Sequence, residues 1–374
     1  MLKHDARRQV GYIQQALSQN KNPMGFLLGA GCPLSIKIKV DEDGEGDQQA
    51  LIPDVAGLTK IIHSRLKSND YEKDFNKLVE QIKQDQKESD QDIAPNIEQI
   101  LSHLRSLKQV AGNGIVRDFN AEELEKLDRT ICSEIFNIVN KELPNENTPY
   151  HDLAIWTREI PRYKPIHVFT TNYDLLIEEA FEESECPYTD GFIGSKNAFF
   201  DLGTVENDEL LHPRWCRLWK IHGSINWKMD KKKRILRGDK PNEDENYLIY
   251  PSHLKYDQSR KMPYLAMLDR LKDFILAQYS VLFIVGYSFS DDHINDIIIQ
   301  SLKSNATAMC FGFLFGNLDQ DKYNNARECA KQISNLSLIA QDKGIIGRQE
   351  GKWSLNNEEL LGEIPAQIVN KINS

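Results

Sequence analysis

Ile166-His167-Val168-Phe169-Thr170-Thr171-Asn172-Tyr173-Asp174 opens as an apolar, β-branched run and then breaks into polar residues, ahead of Leu175, Leu176, Ile177, Ala180 and Phe181 at helical spacing. The pattern is that of a buried strand, a turn and a helix start. In an open parallel sheet the ligand crevice lies just beyond the carboxyl ends of the strands, which makes Thr171, Asn172 and Asp174 candidate site residues. Asn and Asp are equally good helix caps, so this stretch alone leaves both roles open.

Other stretches repeat the pattern. Met24-Gly25-Phe26-Leu27-Leu28 runs into Gly29-Ala30-Gly31-Cys32-Pro33, a turn whose glycines let the backbone come close to a ligand and whose bunched N–H groups suit a pyrophosphate. Leu34 stands where the third glycine of the dinucleotide fingerprint falls, which separates the chain from an ordinary Rossmann dehydrogenase. Val281–Val285 ends at Gly286-Tyr287-Ser288-Phe289-Ser290-Asp291-Asp292, followed by Ile294, Ile297, Ile298 and Leu302 at helical spacing. Lys220-Ile221-His222-Gly223-Ser224-Ile225-Asn226-Trp227 reads as a further strand with a polar tip. There the small neighbours of His222 keep its imidazole uncrowded at the mouth of the sheet, and imidazole suits general-base work.

Strands alternating with helices predict an α/β fold with a doubly wound, mostly parallel Rossmann-like sheet. Between about 58 and 145 the apolar residues instead follow helical seams, such as Phe75, Leu78, Val79, Ile82 and Ile97, Ile100, Leu101, Leu104, Leu107, with no strand-like run between them. The expected organisation is therefore residues 1–57 as the start of the α/β domain, 58–148 as an inserted helical subdomain, 149–316 as the remainder, and 317–374 as a C-terminal α/β docking segment with a helix over Leu360–Ile372. Residues 37–50 read as an exposed excursion with a hairpin about Asp43-Gly44, and Tyr188 to Asn207 as a long loop. Asp54, after Ile52-Pro53, either faces the ligand or caps the following helix. His103 reads as a packed histidine on an apolar helix face. The basic run from Lys228 to Lys240 reads as a solvated hairpin tip ahead of a nucleic-acid or acidic-partner patch.

The 374 residues are 40% hydrophobic and 27% charged, enough for a sizeable core. A net charge of −10 argues against overall attraction to nucleic acid or an anionic membrane. Without an apolar run long enough to span a bilayer and without a signal-peptide core at Met1–Asp5, the expected location is the cytoplasm. The six cysteines are scattered, with no Cys-x-x-Cys or zinc spacing, so reduced buried thiols and no metal are expected.

In this order, Gly29-Ala30-Gly31, Thr170-Thr171-Asn172-Tyr173-Asp174 and His222-Gly223-Ser224 resemble the nicotinamide-dinucleotide site of the sirtuin family, over roughly residues 24–315. The chain departs from sirtuin deacylases in lacking a four-cysteine zinc module and in following Ile52-Pro53-Asp54 with Val55-Ala56. With its helical insert and Gly286–Asp291 segment it is similar to the sirtuin-like effectors of bacterial anti-phage defence that hydrolyse NAD, in particular the subunit that partners a HerA-type hexameric ATPase. The resemblance implies a sirtuin-like fold, NAD+ as substrate, a homo-oligomer and that ATPase as partner. It also implies a site in which Asn172 and His222 are catalytic. Gly29, Ala30, Gly31, Cys32, Asp54, Thr171, Asp174, Gly223, Ser224, Gly286, Tyr287 and Ser288 would hold the dinucleotide. Asn172 would hold a water or ribose hydroxyl, oriented by Asp174, and His222 would deprotonate it, while Tyr287 and Ser288 would lie near the adenosine end.

Overall fold

Strands that are apolar on both sides need cover on both faces, and here they have it. The computed structural model describes residues 2–39, 48–67, 71–87, 94–112, 114–242, 245–249 and 263–354. In chain order its first part comprises β1 (Leu2–Asp5), α1 (Ala6–Ser18), β2 (Met24–Leu28), the short α2 (Gly31–Ser35) and the antiparallel pair β3 (Lys37–Lys39) and β4 (Gln48–Ala50). The expected hairpin turn about Asp43-Gly44 lies outside the described residues. Four helices follow, α3 (Val55–Lys67), α4 (Glu72–Lys87), α5 (Ile97–Ala111) and α6 (Ala121–Val139), with β5 (Ile115–Val116) and β6 (Phe119–Asn120) paired between the last two. That two-residue ladder interrupts a segment read as wholly helical; strands so short cannot show an alternating pattern.

The chain then returns to the sheet through α7 (Pro149–Glu159), β7 (Ile166–Thr170), α8 (Leu176–Glu183) and β8 (Tyr188–Thr189). β9 (Phe192–Ile193), β10 (Ala198–Phe200) and α9 (Leu202–Glu206) occupy half of the stretch expected to be a loop, again in pieces too short to register in sequence. β11 (Cys216–Lys220) and β12 (Gly223–Met229) come next. What reads as one strand through His222 is thus two, broken at Ile221–His222, and they belong to different sheets. β13 (Ile235–Arg237) and β14 (Asn246–Ile249) complete the second, five-stranded sheet, and Lys231, Lys232 and Lys233 are exposed at the β12–β13 turn. α10 (Pro263–Leu276), β15 (Val281–Val285), α11 (Asp292–Ser304), β16 (Met309–Phe313), α12 (Asn324–Gln332), β17 (Leu336–Ile339), β18 (Lys343–Ile346) and β19 (Gln349–Ser354) finish the described chain. The helix expected over Leu360–Ile372 lies outside it.

The main sheet has the order β1-β19-β18-β17-β16-β15-β2-β7-β11-β8. From β17 through β8 every pairing is parallel; β18 runs antiparallel to both β17 and β19, and β1 joins parallel to β19. This is a doubly wound, mostly parallel α/β sheet. Strands 336–354 extend that same sheet. Alternate residues of β2 face opposite cores. Phe26 and Leu28 join the cluster that contains Val168 and Phe283 and continues into Ile62, Leu78, Ile100 and Leu127 of the helical segment, whereas Leu27 joins Phe169, Trp219, Ile284 and Leu338. Each fully buried Leu, Ile or Phe contributes about 1.5–3 kcal/mol, so the helical segment is anchored by the core it shares with the sheet.

From β2 the chain builds outward in one direction through β7 and β11, and later in the other through β15, β16 and β17. The switch point therefore lies at β2. The register aligns Leu28 with Thr170 and with Val285, and Thr170 with Lys220, so Gly29, Thr171, Gly286 and Ile221 emerge side by side at the carboxyl edge. In open α/β sheets this edge is where ligands bind.

Candidate active site

Two turns meet at this edge so closely that neither tolerates a side chain. A Cβ on Gly29 would lie 2.5 Å from the Gly286 carbonyl oxygen, and one on Gly31 2.7 Å from the Gly286 Cα. Gly286 itself has φ +66° and would place a Cβ 2.6 Å from the Cys32 amide nitrogen. The amides of Gly29, Gly31 and Cys32 already donate, to the carbonyls of Val285 (2.9 Å), Gly286 (2.8 Å) and Gly29 (3.0 Å). They serve turn packing, and the expected pyrophosphate cradle of free N–H groups is not built from these three. The Cys32 thiol donates to the Val285 carbonyl, and burial pushes it up to about 12. It is a structural thiol.

At the end of β7, Thr170 Oγ1 donates to the Leu28 carbonyl and accepts from the Asn172 amide, which fixes the turn. The Asn172 side chain donates from Nδ2 to the Gly29 carbonyl at 3.2 Å. Asp174 does not orient Asn172 as expected; its Oδ1 accepts from the Leu176 amide and so starts α8. Burial raises the Asp174 carboxyl against the pull of Lys220. Lys220 donates to the Asp174 carbonyl and, at 2.7 Å, to Glu178, forming a buried charged floor beneath the turn.

His222 sits at the break between β11 and β12 and is 5% exposed. Gly223, at φ +84°, turns the chain there, where a Cβ would collide with the Leu248 carbonyl. The imidazole lies between two carboxylates: Nε2 is 3.1 Å from Asp291 Oδ2, and Nδ1 is 3.9 Å from Glu98 Oε1. The Tyr173 ring stacks near it, with centroids 6.4 Å apart and an interplanar angle of 28°, and the Tyr173 hydroxyl donates to Glu98. Burial works to raise the Asp291 carboxyl, but the hydrogen bond and charge of His222 hold it below the usual carboxylate range.

These groups border one cleft of about 100 Å³. Of the residues expected from the sequence, it brings together Ala30, Thr171, Asn172, Asp174, His222, Gly286, Tyr287 and Ser288. The others stand behind it. Gly29, Gly31 and Cys32 pack between the turns, and Asp54 Oδ1 accepts from the Gly57 amide, the capping alternative. Gly223 bends the chain, and Ser224 donates from within the core to the Tyr173 carbonyl. The lining residues that were not singled out include Glu98, Tyr173 and Asp291. Asp291 has a recognisable signal as the acidic cap of α11, whose Ile294 amide it accepts, but capping alone says nothing of His222. Glu98 has none, because it lies in the first turn of a helix far from the sheet in sequence. Among the described residues no group of three or more His, Cys, Asp or Glu side chains is disposed to hold a metal ion, and no helix is long and apolar enough to cross a membrane.

Residues 166–336 match a family model described as a SIR2-like domain. No curated protein matches the chain. Among solved structures, one from work on the mechanism and regulation of Sir2 enzymes aligns at 12% identity and a TM-score of 0.40, covering 98% of this chain and 97% of its own. A complex of a Sir2 homologue with NAD aligns at 12% identity and a TM-score of 0.35, covering 100% of this chain and 98% of its own.

Proposed function

We propose that this protein binds NAD+ and hydrolyses its nicotinamide–ribose bond, releasing nicotinamide and ADP-ribose. The observation that carries this reading is that Asn172 and His222, from two different strand ends, line one cleft at the switch point of the sheet. Nicotinamide leaves as a neutral molecule with the electron pair of the broken bond, so no acid is needed to expel it. Water then bonds to the anomeric carbon and its proton passes to His222. Asp291 engages Nε2 and so holds in place the imidazole that takes this proton. Asn172, with Nδ2 committed to Gly29, offers its oxygen to the water or to a ribose hydroxyl without adding a charge.

The cleft of about 100 Å³ is smaller than the roughly 300–1,000 Å³ of ordinary small-molecule sites. Ile52, Pro53, Val55, Leu58, Glu98 and Val139 contribute to its walls. Ala30 and Thr171, which line the cleft, take the place of the committed glycine amides at the pyrophosphate, and Tyr287 and Ser288 lie toward the adenosine. The sequence resemblance supports NAD depletion in bacterial anti-phage defence as the purpose, by an oligomer acting with a HerA-type hexameric ATPase.

The test is nicotinamide release and NAD consumption by the full chain, with and without that ATPase. Turnover is expected in at least one condition, and Asn172→Ala or His222→Ala should abolish it with the chain still folded. Dinucleotide binding with no nicotinamide released in either condition would make the protein a sensor. Release only on addition of an acylated peptide or protein acceptor would make it a deacylase or transferase.

A further inference from the structure

His222 is gripped from two sides by carboxylates of different origin. Asp291 follows β15 at the sheet edge, and its position is fixed, since one oxygen faces Nε2 while the other accepts from Ile294 at the start of α11. Glu98 belongs to α5, in the helical segment between β2 and β7. It stands in the first turn of a helix whose start is set by a reciprocal capping box between Asn96 and Gln99 and by the Ile97 amide donating to Thr59 Oγ1. From there its side chain, 20% exposed, borders the cleft, accepts from the Tyr173 hydroxyl and faces His222 Nδ1 at 3.9 Å. The Tyr173 ring in turn borders the imidazole, with centroids 6.4 Å apart and planes 28° apart, and its own carbonyl accepts from the Ile225 amide and the Ser224 hydroxyl just beyond His222.

We propose that Glu98 is a positioning residue of the active site, delivered by the helical segment: through Tyr173 it locks the plane and nitrogen assignment of His222 opposite Asp291. This rests on the reading of His222 as the base. A first-turn carboxylate at a helix N-terminus is stabilised where it stands, so a rigid helix, not a loop, sets its place. A 3.9 Å separation is too long for a direct hydrogen bond; the Tyr173 hydroxyl, which donates to Glu98, instead ties that carboxylate to the ring that borders the imidazole. The helical segment is thereby part of the catalytic apparatus, since it carries one of the two carboxylates that face His222.

The test uses the full chain with Glu98→Ala, Glu98→Gln, Tyr173→Phe and the double variant Glu98→Ala/Tyr173→Phe, read in two ways. In turnover, under whichever condition supports the unmodified chain, Glu98→Ala and Tyr173→Phe should each lower kcat about 10²-fold with KM for NAD changed little, at the low end of a general-base contribution. Glu98→Gln, which still accepts from the Tyr173 hydroxyl, should recover much of that loss. The double variant should lose little more than either single one, because both remove the same link. In 15N-histidine-labelled protein without substrate, the His222 ring nitrogens should change shift in Glu98→Ala and Tyr173→Phe but much less in Glu98→Gln. Unchanged His222 shifts in both Glu98→Ala and Tyr173→Phe, or additive losses of kcat, would overturn the proposal. Should the unmodified chain release no nicotinamide in any condition, the hydrolase reading fails, while the nitrogen shifts still decide the role of Glu98. Tyr173→Phe, which deletes one hydroxyl, keeps both readouts available if Glu98→Ala lowers the melting temperature.

Discussion

Asp291 divides its two carboxylate oxygens between His222 and the first turn of α11: Oδ2 is 3.1 Å from the imidazole Nε2, and Oδ1 accepts from the Ile294 amide at 3.1 Å. One side chain thereby ties a helix start to the imidazole of the neighbouring strand break. Each of its two tasks can be removed separately, which makes the contact a sharp probe of the site.

Asp291→Asn keeps a good helix cap and removes the charge facing His222. Nicotinamide release should fall by about 10²- to 10⁴-fold, the range of a general-base contribution, with the melting temperature at neutral pH only modestly lowered. The carboxyl is held below its ordinary value of about 3.9, so the stabilisation it brings is present above that value and is lost as pH falls through the lower folded-state value. The gap in melting temperature between the two proteins should accordingly narrow in acid. A gap that widens there would contradict this assignment of the Asp291 charge.

Gly286→Ala tests the contact between the two turns. Alanine would have to adopt φ +66° with its Cβ against the Cys32 amide, combining backbone strain with overpacking, about 2–4 kcal/mol together. Denaturant midpoints at unchanged slope measure this directly. A loss under 1 kcal/mol would mean that the turns move apart easily.

Lys220→Met removes a buried ammonium from Glu178, whose second oxygen has no hydrogen-bond partner among the described residues. An uncompensated buried carboxylate costs about 3–5 kcal/mol, so the variant should unfold at markedly lower denaturant. Adding Glu178→Leu should restore much of the difference, since an apolar pair of similar volume replaces the ion pair. Equal stability of the single and double variants would reject the ion pair as the source.

Asn172→Asp replaces the amide that donates to the Gly29 carbonyl by an acceptor, leaving two oxygens opposed in a buried turn. The expected loss is about 1–3 kcal/mol of stability, together with turnover. Full stability with lost turnover would separate the chemistry of Asn172 from its hold on the glycine turn.

Local pattern carries much of this protein. The apolar runs Met24–Leu28, Ile166–Thr170 and Val281–Val285, each followed by a turn of small or polar residues, are readable as parallel strands because both periodicity and turn chemistry are properties of neighbouring residues. The seams of α5 and the rest of the helical segment are legible for the same reason, and so is the gathering of Thr171, Asn172 and Gly286 at one edge once the strands are parallel. The division of Lys220–Trp227 between two sheets is another matter: Ile221 and Ile225 are apolar in either arrangement, and only pairing of β12 with β13 and β14 distinguishes them. Likewise β1 acquires a partner in β19 only when the two ends of the described chain meet, at Leu2 with Gly351. The surroundings of His222 are the extreme case. Asp291 lies 69 residues from it, and Glu98 lies 75 from Tyr173, so neither contact leaves a trace in spacing. Such contacts exist because the core shared by the helical segment and the sheet brings α5 over the carboxyl edge, a result of long-range packing that no local run of residues encodes.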